Sequence, residues 1–111
     1  MIVRRIAHRL GYRYRLHVRN LPGRPDLVFP RLRKIINVHG CYWHLHACRW
    51  GNVLPRTNSA FWRIKRMGNV TRDRRNNQAL CKLGWRVLTV WECQLTDREQ
   101  VANRIAAFLG V

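Results

Sequence analysis

The sequence predicts an α/β sandwich, a mixed sheet flanked by helices, on three observations. A helical period is followed by three short consecutive strands, a second helical stretch comes later, and a strand–helix pair closes the chain. Apolar Val3, Ile6, Ala7 and Leu10 with arginines between them predict a helix over 3–10, closed by Gly11. Residues 12–18 alternate apolar and polar side chains, the pattern of a half-buried strand. Leu21-Pro22-Gly23-Arg24-Pro25 reads as a turn, 26–29 as a short strand that Pro30 ends, and 34–38 as the next strand. The resulting β-hairpin ends at His39-Gly40. From 39 to 58 the chain is dense in His, Cys, Trp and Gly and has neither period. A loop of that length inside a small domain is usually functional or held by something other than a core. Ser59 is read as the N-cap of a helix to about residue 66, and a second helix runs over 69–83 and stops at Gly84. Residues 85–91 form the most apolar strand, expected to be central and buried on both faces. Thr96 is expected to cap a last helix with Val101, Ile105, Phe108 and Leu109 on one face.

Composition narrows the function. The 111 residues make a single domain, 1–111, large enough for one modest core. With 47% hydrophobic residues the chain is not a disordered basic tail. No apolar run approaches the ~18–20 residues needed to span a bilayer. No secretory pattern follows Met1-Ile2-Val3-Arg4-Arg5, so an intracellular place is expected. Against 5 Asp+Glu stand 22 Lys+Arg, a formal net charge of +17, and 19 of the 22 are arginine. Arginine presents a planar fork that matches phosphate oxygens, and a polyanion relieves the self-repulsion of so much charge. Nucleic acid is the expected partner; an anionic membrane surface is a poor competitor because no long basic amphipathic helix is present. A ribosomal-type RNA binder is a rival reading of the charge alone.

The cysteines and histidines carry a metal pattern. Cys41, His46 and Cys48 lie in the 39–58 loop and Cys93 follows the last strand, together a Cys3His set suited to tetrahedral zinc. A zinc ion would clip the loop in place of a core. The alternative is that Cys93 is a buried thiol and the loop cysteines are free. Cys81, between Leu80 and Leu83, is read as core. His44 is left out of the zinc set, and an imidazole titrating near neutral pH is the usual proton acceptor for water; a solvated spectator is the alternative. His39 is the weaker candidate, for a supporting role.

With five carboxylates, each position matters. A chain of this charge, were it to cut DNA, would have to hold Mg²⁺ beside the phosphate, and Mg²⁺ takes one or two carboxylates plus waters and substrate oxygens. Asp26 opens a strand facing the hairpin end, which would bring it near the carbonyl closing the 34–38 strand and near His44. Asp73, in Arg72-Asp73-Arg74-Arg75, is on its own readable as charge balance in a basic helix. Glu92, Asp97 and Glu99 suit structural roles, Asp97 beside a helix N-terminus. Tyr42 and Trp43 in the loop, and Phe61 and Trp62 after it, are aromatics beside basic residues, which can stack on bases or wedge between them. Phe61 is taken as part of the core roof, Trp43 and Trp62 are not.

Leu21-Pro22-Gly23-Arg24-Pro25-Asp26, His39-Gly40-Cys41-Tyr42-Trp43-His44 with His46 and Cys48, Phe61-Trp62, Arg72-Asp73-Arg74-Arg75 and Leu83-Gly84-Trp85-Arg86-Val87 leading to Val90-Trp91-Glu92-Cys93 resemble the very short patch repair (Vsr) endonucleases over nearly the whole chain. The resemblance implies a restriction-endonuclease-like, PD-(D/E)xK-type three-layer fold. It also implies a DNA-nicking enzyme that cuts 5′ of the thymine in a T·G mismatch left by deamination of 5-methylcytosine. Carried over, Asp26 matches the metal-binding aspartate and His44 the general base, while Asp73 matches an acid that orients that base or a metal-bound water. His39 keeps its supporting place among the catalytic residues. Cys41, His46, Cys48 and Cys93 fall on the structural zinc ligands, and Tyr42, Trp43 and Trp62 on the intercalating aromatics.

The sequence reading is thus a Mg²⁺-dependent, zinc-stabilised endonuclease. Asp26 and the Val38 carbonyl hold Mg²⁺, His44 deprotonates water, and Arg24, Arg72, Arg74 and Arg75 grip phosphates. Duplex DNA with a T·G mismatch is the expected partner, with mismatch-repair proteins in addition. The chain is expected to be a monomer in a bacterial-type cytoplasm, beside the nucleoid. Family members carry a DNA-clamping N-terminal arm and a helix bearing a glutamate near the site, and Met1 falls where that glutamate would stand. An N-terminally shortened form is therefore expected, and the alternative function is a catalytically impaired DNA-binding remnant. Val38 stands where some members have Thr, a tolerable change for a main-chain contact. Asn37 stands where the family usually has an apolar residue.

Overall fold

The computed structural model describes residues 2–16, 18–41 and 59–110. Among them the order is α1 (Ile2–Arg9), β1 (Arg15–Leu16), β2 (Leu27–Phe29), β3 (Lys34–His39), α2 (Ser59–Lys82), β4 (Arg86–Trp91), a 3-10 turn over Glu92–Thr96 and α3 (Arg98–Phe108). The strands form one mixed sheet in the order β1-β2-β3-β4. β1, β2 and β3 pair antiparallel in succession, and β3 pairs parallel with β4 in the register His39 to Trp91.

Alternation along the strands sorts the core into two sides. Leu27, Phe29, Ile36 and Val90 face Val3 and Ala7 of α1 and Val101 and Ile105 of α3. Val28 and Ile35 face Leu80 of α2 on the other side. The result is the expected three-layer α/β sandwich, with α1 and α3 on one face and α2 on the other. Gly84 ends α2 at φ +90, with its N–H on the Cys81 carbonyl and the Trp85 N–H on the Leu80 carbonyl. That pattern needs a left-handed residue at this position, which glycine adopts without steric cost.

Several expectations are corrected. The two helices expected over 59–66 and 69–83 are one, α2, running through Gly68. Gly68 keeps a right-handed conformation, so it weakens the helix by its flexibility without breaking it. The apolar strand over 85–91 becomes β4, which among the described residues is the last strand of the sheet and not a central one. Its apolar residues on both sides reflect helices covering both faces, and Val90 alone of its residues is fully buried. Among the described residues of the strand expected over 12–18, Arg15 and Leu16 pair with β2, and both are exposed. Tyr12 and Tyr14 instead set their rings edge-on to Phe29. The cap of α3 is Asp97, which accepts the Gln100 N–H at 3.1 Å, while Thr96 closes the 3-10 turn by donating to the Cys93 carbonyl. A carboxylate is the better partner for the positive end of a helix. Cys81 is exposed, because it lies about 100° round the helix from buried Leu80. Phe61 is 58% exposed and roofs no core.

Candidate active site

Turn, strand and helix converge on a cleft of about 210 Å³ at the start of β2 and the end of β3. Because Leu27 pairs with Ile36, one further step sets Asp26 opposite Asn37. The two strands do not continue their ladder there. The Asp26 N–H donates instead to Asn37 Oδ1 at 3.2 Å, and the Val38 N–H donates to Asp26 Oδ2 at 2.7 Å. In an extended strand a residue's N–H and C=O leave by the same edge. The Val38 carbonyl therefore lies on the edge that meets Asp26.

The turn that delivers Asp26 is tight. Gly23 and Arg24 both take left-handed φ values, +78 and +45, closed by the Arg24 N–H on the Leu21 carbonyl. A Cβ on Gly23 would stand 2.8 Å from Asn76 Nδ2, so a side chain there would require Asn76 of α2 to shift. Arg24 holds its left-handed conformation at a steric cost of about 1–2 kcal/mol, and it lines the cleft. Strain of this kind persists where the surroundings over-determine it.

β3 and α2 supply the remaining groups. His39, the last residue of β3, places Nδ1 3.9 Å from Asp73 Oδ2 of α2, an electrostatic contact longer than a hydrogen bond. The His39 ring also meets Trp91 edge-on at 5.3 Å. Asp73 faces the cleft while its neighbours Arg72, Arg74 and Arg75 are exposed, so the helix turns one acid inward and three cations outward. Trp62 is half-buried, with Phe61 edge-on at 5.3 Å and the Lys65 ammonium 5.6 Å from its ring.

Of the expected site residues, the structure brings Asp26, Val38, His39, Asp73 and Arg24 to one cleft. Tyr42, Trp43, His44, His46 and Cys48 lie outside the described residues. Of the expected zinc ligands, Cys41 is buried and Cys93 half-buried. Each follows the paired end of its strand by two residues, and these strands are parallel neighbours, so both cysteines belong to the same end of the sheet. Among the described residues, no three His, Cys, Asp or Glu side chains form a metal-holding group. The donors at the cleft are nonetheless hard oxygens, the Asp26 carboxylate and a main-chain carbonyl. That set fits Mg²⁺, which needs one or two carboxylates with water and substrate phosphates rather than a full protein cage.

Sequence reasoning marked Asn37 only as a departure and missed Asn76 and Asn77; all three line the same cleft. Asn76 and Asn77 stand three and four residues after Asp73, a spacing that places them on its side of a helix. Asn37 breaks the apolar alternation of β3 on the side facing α2. Either signal pointed to a polar cleft.

Residues 1–50 match the family model described as DNA mismatch endonuclease Vsr. The chain is 46% identical over 107 residues to the Type II nicking enzyme V.XorIIP of Xanthomonas oryzae pv. oryzae, covering 96% of this chain and 78% of that protein. It is 47% identical over 93 residues to the DNA mismatch endonuclease Vsr of Escherichia coli, covering 84% of this chain and 59% of that protein. It is 34% identical over 105 residues to the Type II nicking enzyme V.NmeAIP of Neisseria meningitidis, covering 95% and 74% respectively.

Proposed function

The chain belongs to the DNA mismatch endonuclease Vsr family, and on that premise we propose that it is a Mg²⁺-dependent nuclease that nicks DNA 5′ of the thymine in a T·G mismatch. The observation that carries this reading is one cleft in which Asp26 is anchored to β3 beside the His39–Asp73 contact.

Asp26 and the Val38 carbonyl are the groups to hold Mg²⁺, which when bound supplies charge neutralisation at the phosphate and the departing oxygen. The Val38 N–H fixes the rotation of the Asp26 carboxylate, so its orientation is set before substrate arrives. His44 accepts the proton of the attacking water. Asp73 holds the His39 ring by charge, and Trp91 limits its rotation. Arg24 at the cleft and Arg72, Arg74 and Arg75 on the outer side of α2 bind phosphates, in keeping with a net charge of +17. Trp62, with Tyr42 and Trp43, stacks at the mismatch, where the weakened pair lowers the unstacking cost.

Zinc is held by Cys41, His46, Cys48 and Cys93. The support is that Cys41 and Cys93 each follow the end of one of two neighbouring parallel strands by two residues, a thiol pair suited to tethering the 42–58 segment to the sheet. No helix among the described residues is long and apolar enough to cross a membrane. A monomer acting on nucleoid DNA in the cytoplasm, with mismatch-repair proteins as further partners, completes the reading.

The test is nicking of a T·G duplex against its T·A control, with Mg²⁺ and with chelator. We expect Mg²⁺-dependent nicking of the T·G strand alone. Asp26→Ala and His44→Ala should each lower the rate by roughly a thousandfold or more while the zinc content stays unchanged. Duplex binding without any Mg²⁺-dependent cut would replace this reading with that of a DNA-binding remnant.

A further inference from the structure

The polar exchange at the β2–β3 end has a specific chemical consequence. Asp26 follows Pro25, which has no N–H, so the Asp26 N–H is the first donor β2 offers and is half-buried. A half-buried backbone donor needs an acceptor. Val38 turns its N–H toward β2, so Asn37 turns its own backbone groups toward β4, and the acceptor is the Asn37 side chain at 3.2 Å. Asp26 in turn gives its carboxylate to the next residue of β3, accepting the Val38 N–H at 2.7 Å. Each strand thus holds the other's backbone through a side chain. The exchange ties the strands together where backbone pairing has stopped and the cleft begins.

We propose that Asn37 is a positioning residue for the cation site: its carboxamide fixes the Asp26 main chain, and thereby the Asp26 carboxylate and the Val38 carbonyl edge. This rests on the reading of Asp26 as a cation ligand. The geometry explains why a polar residue occupies a strand position where alternation calls for an apolar one. An aliphatic side chain there would leave the Asp26 N–H without this acceptor and free the main chain that carries the carboxylate. Groups that orient a metal ligand from behind are commonly worth ten- to a hundredfold in metal affinity.

The experiment compares the full-length chain with Asn37→Ala, Asn37→Val and Asn37→Asp, the last keeping an acceptor oxygen. Two readouts are taken: amide hydrogen exchange at Asp26 and Val38 by NMR, and Mn²⁺ binding by electron paramagnetic resonance with saturating T·G duplex, corrected for the duplex alone. Exchange at Asp26 should rise about tenfold in the alanine and valine variants, the loss of one ordinary hydrogen bond, and stay slow in Asn37→Asp. Mn²⁺ affinity should fall about tenfold in the alanine and valine variants. It should not fall in Asn37→Asp, and duplex affinity in chelator should be unchanged in the alanine and valine variants. Unchanged Asp26 exchange in both apolar variants overturns the clamp. Faster exchange with unaltered Mn²⁺ affinity overturns its role at the cation site. If Asp26→Asn binds Mn²⁺ as the parent chain does, the cation-ligand reading of Asp26 fails instead, and the exchange data still decide whether Asn37 holds it.

Discussion

Two clefts lie at opposite ends of the β2–β3 hairpin, and they differ in the groups their walls offer. The larger, about 820 Å³, sits where the chain turns at Pro30 and is floored by Tyr12, Tyr14 and buried Phe29, with Arg13, Arg15 and Arg31 around it. None of its lining residues is an acid. The smaller, about 210 Å³, has two carboxylates, an imidazole and three carboxamides in its walls. Guanidinium groups can attract an anion, but they neither hold a cation nor accept a proton. Volume here follows a gap between tyrosines and a turn. Chemistry follows the place where strand pairing stops and side chains take over the backbone hydrogen bonds.

The sharpest way to break this comparison after Asp26 itself is through Asp73. Asp73→Asn removes the charge that faces His39 while keeping the side chain's size. We expect single-turnover nicking of the T·G duplex to fall about a hundredfold, the scale of a lost acid–base partner. Duplex affinity in chelator should rise slightly or stay level, because the net charge goes from +17 to +18. Full activity in this variant would reduce the His39–Asp73 contact to an element of helix packing.

Gly23→Ala is the next test and acts on stability. It forces an alanine to φ +78 and sets its Cβ 2.8 Å from Asn76 Nδ2. The backbone part alone should cost about 1–2 kcal/mol, read as a lower urea midpoint with an unchanged slope. Because Asn76 must move and lines the small cleft, nicking should fall as well. The large groove is out of reach of this change. A midpoint equal to that of the parent chain would mean that the turn accepts a side chain and does not depend on glycine to deliver Asp26.

What the sequence shows of each cleft follows from the range of the interactions that build it. Local signals are legible: the Val101–Ile105 stripe of α3, the stop at Gly84, Pro30 ending β2 and Asp26 opening it all depend on neighbours a few residues away. Continuity through Gly68 is not legible, because a glycine's permissiveness does not say whether packing will use it. The outer position of β4 among the described strands was hidden because cover by helices on both faces produces the same apolar run as a central strand. Asn37 was the hardest to read. Its partner, Asp26, is 11 residues away, and the contact exists only in one hairpin register. Registers are set by pairing, so a residue whose role depends on one looks anomalous until the pairing is known.

The smallest expected effect belongs to the large groove. Arg13→Ala with Arg31→Ala takes the net charge from +17 to +15 and strips two of its three cations. If the groove lies off the DNA path, only the general field of the protein weakens. The single-turnover rate at saturating duplex should then stay within about twofold, and association at low salt should slow modestly. The discriminating quantity is the salt dependence of duplex affinity. Each phosphate contact contributes about 0.9 to the slope of log K against log salt, so two lost contacts would flatten it by about 1.8. We expect no such flattening, whereas Arg72→Ala with Arg75→Ala on α2 should produce it. Both pairs remove the same charge, so the contrast between them separates arginines that touch phosphate from arginines that only raise the potential. Equal flattening by the two pairs would extend the DNA path to the far end of the hairpin, and the division between the clefts would become one of chemistry alone and not of binding.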